Sequence, residues 1–80
     1  MPRFYFHLYD DLTSMDYEGE EHPNAAVAHQ KAITTAREIA SEAVRNGHLV
    51  LDHRIDIADE SGTVLETVHF RDVVEVEGGS

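Results

Sequence analysis

The sequence has no cysteine, no tryptophan and only two prolines. Without cysteine there is no disulfide staple, no thiolate metal site and no thiol nucleophile, and a chain of this kind suits a reducing cytosol. Positive charge is scarce as well. Six lysines and arginines face sixteen aspartates and glutamates, a net −10 with histidine neutral. Such a surface repels phosphate backbones and anionic headgroups, which argues against nucleic acid and membrane as partners. A basic protein, a cation or simple solubility remain as uses for the charge. No apolar run approaches the roughly 20 residues needed to cross a bilayer, and the start from Met1 to His7 lacks the apolar stretch of a signal peptide. There is no glycine-rich phosphate loop, and Ser14, Ser41, Ser61 and Ser80 lie in no nucleophile elbow. No cofactor is indicated.

What is present fits one small domain over residues 1–77, with 78–80 as a disordered tail. A chain of this length buries only about 60% of the surface that it exposes when unfolded. Pairing with a second copy would supply more burial.

Hydrophobic period divides the chain. Arg3 to Tyr9 alternates, with Phe4, Phe6 and Leu8 on one face and Tyr5, His7 and Tyr9 on the other, and reads as a strand. Asp10 to Pro23 is an acidic connection in which Asp16 to Glu20 is a candidate short strand, Gly19 a bend, and Met15 and Tyr17 candidates to tuck against the domain. From Asn24 to Asn46 the period becomes helical. Asn24 is the N-cap and Gly47 the terminator. Ala25, Ala28, Ala32, Ala36, Ile39, Ala40 and Ala43 fall within one arc, and Val27 lies outside it. That small-residue face predicts a helix lying close on a sheet whose bulk comes from the phenylalanines.

Leu49, Val50 and Leu51 either cap the core below the helix or begin the next strand. Arg54 to Asp59 alternates again, Ile55 and Ile57 inward, Arg54 and Asp56 outward. Asp59-Glu60-Ser61-Gly62 is a turn. Thr63 to Phe70 returns antiparallel, with Val64, Val68 and Phe70 in the core phase together with Glu66, and Leu65, Thr67 and His69 on the other face. Glu66 is expected at the sheet edge, reaching water or pairing with Arg54. Arg71 to Val76 reads as a helical turn or a terminal strand. The sum is an α+β two-layer sandwich, one long helix on a small antiparallel sheet.

Several of these residues carry a resemblance. Pro2-Arg3-Phe4-Tyr5-Phe6-His7 opens the chain. Asp16 with Gly19 and a Pro23-led alanine-rich helix follow. Then come Arg54-Ile55-Asp56-Ile57, Asp59 before Gly62, Val64-Leu65, Val68, Phe70 and Asp72. In these the chain resembles a family of small proteobacterial proteins of unknown function. The resemblance covers nearly the whole chain and implies no activity, substrate or catalytic residue. His69 stands where proline is expected.

Six histidines, at 7, 22, 29, 48, 53 and 69, raise the question of metal. No pair has the i, i+4 spacing that places two ligands on one helical face. The best constellation is His7 with His69, expected to meet across neighbouring strands on the uncovered face. The acidic connection lacks the Asp-x-Asp-x-Asp-Gly spacing of a calcium loop. Two functional classes follow. The first is a non-enzymatic interaction or regulatory module, a cytoplasmic homodimer that uses the sheet face of Tyr5, His7, Tyr9, Leu65, Thr67 and His69, or a bare strand edge, with a basic protein as a further partner. The alternative is a metal-dependent site or small enzyme built from His7, His69 and nearby acids.

Overall fold

In the computed structural model, which describes residues 1–78, strand β1 (Arg3–Tyr9) runs through the sheet as expected from its alternation. The chain then turns back along the outer edge of β1. It pairs there twice, through β2 (Thr13–Ser14) opposite Leu8 and Tyr9 and through β3 (Glu20–Glu21) opposite Arg3 and Phe4. The short strand expected at 16–20 is therefore two bridges, with Asp16 to Gly19 as the bend between them.

Helix α1 (Ala25–Arg45) is capped at both ends. The Asn24 side-chain oxygen accepts the Val27 N–H at 3.0 Å. At the other end Gly47 takes φ +81°, His48 N–H donates to Ala43 O and Gly47 N–H to Val44 O, each at 2.9 Å. This is the glycine-terminated cap with its two backward hydrogen bonds. Ala28, Ala32, Ala36 and Ala40 are buried, at 3% exposure or less, and repeat at the i, i+4 spacing that makes a smooth strip. Ala25 lies outside the contact and is exposed, as is Val27.

After α1, Leu49 packs against the core edge, and β4 (Arg54–Ala58) and β5 (Val64–His69) follow. The antiparallel sheet has the order β2-β1-β4-β5, with β3 also on β1. Phe70 begins a single helical turn, α2 (Phe70–Val73), which settles the segment after Arg71 as helix, not strand. Phe4, Ile55, Ile57, Val68 and Phe70 pack with the alanine strip to form the core. Each residue is apolar, so the layer is held by burial at roughly 25 cal/mol per Å² of apolar surface removed from water.

Two expectations about β5 change. A bulge sets Ala58 opposite Val64 while Ile57 stays opposite Glu66, so Leu65 is the extra residue. The slip takes Val64 out of the core phase and leaves it exposed beside Leu65. Glu66 keeps the core-side phase, but its carboxylate meets His29 Nδ1 of α1 at 3.4 Å, not Arg54. The part of the expected disordered tail at residues 79–80 lies outside the described residues.

Candidate functional site: the uncovered sheet face

The helix covers one face of the sheet, and the register places three rows on the other. Tyr5 stands beside Ala58 and Val64, His7 beside Asp56 and Thr67, and Tyr9 beside Arg54 and His69. The six residues singled out in the sequence all belong to this face or to its bulge. They flank a central strand that contributes Arg54, Asp56 and Ala58. His7 and His69 do not meet. Strand β4 lies between theirs, which sets them about 10 Å apart across the sheet, with a two-residue offset along it. Among the described residues, no group of three or more histidines and acids is placed to hold a metal ion.

The face is less open than its alternation suggests. Asp56 and Ala58 point away from the helix, yet only 9% and 1% of their surfaces are exposed, with His7 and Thr67 flanking the first and Tyr5 and Val64 the second. The buried Asp56 carboxylate accepts the Thr67 hydroxyl at 2.8 Å and lies 3.5 Å from Arg54 Nε. A buried carboxylate left without such partners would be costly. The Arg54 guanidinium also stacks over the Tyr9 ring, 4.1 Å from its centroid. Asp56, Thr67, Arg54 and Tyr9 thus form one linked polar group across three strands.

Asp16 fixes the other side of the face. Its carboxylate accepts the N–H groups of Phe6 at 3.1 Å, Glu18 at 3.1 Å and Gly19 at 3.0 Å. Its own N–H donates to His7 Nδ1 at 3.0 Å, which leaves the neutral imidazole protonated on Nε2. Partial burial acts to raise the Asp16 pKa. The three N–H donors and the nearby His7 outweigh it, and the net shift is downward. The bond to Phe6 falls between the β2 and β3 pairings, so backbone and Asp16 together close the outer edge of β1. Gly19 is required beside it. Its φ is +70°, and a Cβ there would lie 2.8 Å from Arg3 Cγ and 2.9 Å from the Phe4 carbonyl oxygen.

A shallow cavity of about 210 Å³ opens at this end of the face, lined by Tyr5, His7, Asp16, Tyr17, Ala58, Asp59, Glu60 and Gly62. Tyr17 stands at its rim, 85% exposed, rather than tucked against the domain. The Asp59 carboxylate is engaged by the Ser61 hydroxyl at 2.6 Å and by the N–H groups of Ser61 and Thr63, and these bonds lower its pKa, with the Ser61 hydroxyl foremost. A larger groove of about 350 Å³ lies on the helix side, between the end of α1 and Val73 and Val74. It contains none of the six residues of the uncovered sheet face.

Of the remaining histidines, His22 is inserted beside the core between Phe4 and Phe6, with ring centroids at 6.3 and 5.8 Å. His53 packs edge-on against Phe70 at 5.6 Å. Aromatic contacts account for both.

The family model described as a domain of unknown function, DUF6894, matches residues 3–71. The chain belongs to the DUF6894 family. The matched span runs from the first strand into α2 and takes in the whole sheet and the long helix. Searches of curated proteins and of solved structures return no match. Among the described residues, no helix is long and apolar enough to cross a membrane.

Proposed function

We propose that this domain is a non-enzymatic interaction module that works as a homodimer, a small regulatory protein of the proteobacterial cytoplasm. The observation that supports this most is the contrast between the two edges of the sheet. The chain closes the edge of β1 with its own residues 13–21, while β5 carries exposed Val64 and Leu65 along an edge with which no strand among the described residues pairs. An uncovered strand edge is a template for pairing with another chain. Leu65 and Thr67 beside that edge are exposed and uncharged, so pairing there buries no unpaired ion. Beyond the second copy, the net charge of −10 suits a basic protein as target.

Light scattering across a wide concentration range tests this. The expected result is a dimer that dissociates on dilution, with Leu65→Lys shifting the equilibrium to monomer. A wild-type protein that stays monomeric at the highest concentration overturns the reading.

A further inference from the structure

We infer that the homodimer contact is β5 against β5 of the second copy, antiparallel and centred on Thr67, joining two sheets into one. The inference rests on the homodimer reading above and specifies its geometry.

Three observations carry it. The first is the direction of the backbone. Phe70 N–H donates to His53 O on the β4 side. Residues along a strand alternate in the side to which they offer N–H and C=O. Phe70 and Val68 therefore face β4, and His69 and Thr67 face outward. The second is the constraint of symmetry. A two-fold axis perpendicular to the sheet keeps the helices of both copies on one side, and then each residue must pair with one of the same facing. The axis must therefore pass through a residue, not between two. An axis at Glu66 sets two carboxylates opposite each other, which is unfavourable. An axis at Thr67 sets Thr67 opposite its own copy, Leu65 opposite His69, and Glu66 opposite Val68, with no like charges facing. It also sets the two outward-facing Thr67 residues opposite each other, the geometry of a mutually hydrogen-bonded pair. The third is the chemistry of the edge. From Val64 to His69 it has no lysine, arginine or proline, the residues that usually guard an edge. Its one carboxylate, Glu66, is drawn back to His29 of its own chain at 3.4 Å.

The absence of native cysteine makes a clean test. Opposed residues at a hydrogen-bonded pair lie about 5.5 Å apart at Cα, within the range that a disulfide spans. Leu65→Cys and His69→Cys are both at exposed positions. When the two variants are mixed and mildly oxidised, the expected product is the mixed disulfide. Each variant alone should cross-link far less, since two copies of residue 65 are then four residues apart, about 13 Å. Tyr5→Glu, on β1, should leave the dimer intact. If the protein dimerises but the mixed cross-link does not exceed the two homogeneous ones, the Thr67-centred contact is refuted and the homodimer stands. If Tyr5→Glu alone abolishes the dimer, the copies meet through the sheet face and the edge contact is likewise refuted. A protein that is monomeric throughout refutes both.

Discussion

The alanine strip makes a quantitative prediction at Ala36. Its side chain is fully buried in the core that joins α1 to the sheet. Leucine there adds three carbons. Were there a void to receive them, burial would stabilise by about 0.8 kcal/mol each, some 2.4 kcal/mol in all. No void is available at a fully enclosed position flanked by Ala32 and Ala40 on the same strip, so the helix must lift or the leucine must leave its preferred rotamer. Overpacking of this kind costs about 1–3 kcal/mol net. For a domain this small, the melting temperature should fall by about 4–8 °C per kcal/mol. Ala26→Leu, on the exposed side of the same helix, is the control and should stay within about 0.5 kcal/mol of wild type. Urea unfolding at matched protein concentration gives both values, because self-association would itself stabilise the fold. An Ala36→Leu variant as stable as wild type, or more so, would refute the close packing of helix on sheet.

Other outcomes follow from the loop that closes β1. Gly19→Ala forces a Cβ to within 2.9 Å of the Phe4 carbonyl oxygen at φ +70°, and should cost roughly 3 kcal/mol or more. Gly47→Ala at φ +81° meets no atom within 4 Å and should cost only about 1–2 kcal/mol, a difference that chemical denaturation resolves. The Asp16 carboxylate has a lowered pKa in the folded protein. Its contribution to stability is therefore complete above the ordinary aspartate value of about 3.9 and is lost as pH falls through the lowered value. Unfolding measured from pH 6 down to pH 2 should show this loss, and Asp16→Asn should be less stable at pH 6 with a flatter profile in the acid limb. An unchanged acid limb would show that the bonds to Phe6, Glu18 and Gly19 do not matter. His22→Phe keeps the ring between Phe4 and Phe6 and removes a buried nitrogen that makes no hydrogen bond but lies 3.4 Å from Glu20 Oε1, and should change stability by less than about 1 kcal/mol. His22→Ala should cost about 2 kcal/mol or more by opening a cavity, and a calorimetric comparison of the two separates ring packing from polarity.

The long-period features were legible in the residues. Alternation from Arg3 to Tyr9 gave the strand and its two faces, and the alanines with Asn24 and Gly47 gave the helix to within a residue at each end. Strand order was not legible, because nothing local to His7 or His69 records that β4 lies between them. For the same reason Asp56 reads as a solvent-facing residue, though its neighbours on two other strands bury it. The bulge at Leu65 was hidden by a plausible alternation in which Val64 and Val68 agree. The closure of β1 was half visible. Asp16 and Gly19 stand out, but the Phe6 N–H that Asp16 satisfies is ten residues away, and only the folded chain brings it there.

That closure also sets a valency. A sheet with two bare edges is a divalent monomer, and divalent monomers grow into filaments. With one edge occupied by the chain's own residues 13–21, the sheet keeps a single bare edge, and the proposed assembly through β5 would terminate at a pair. The stoppering group, Asp16, sits on the edge opposite the proposed contact. Under the proposed pairing, stoichiometry is governed by a loop carboxylate that never touches the second copy.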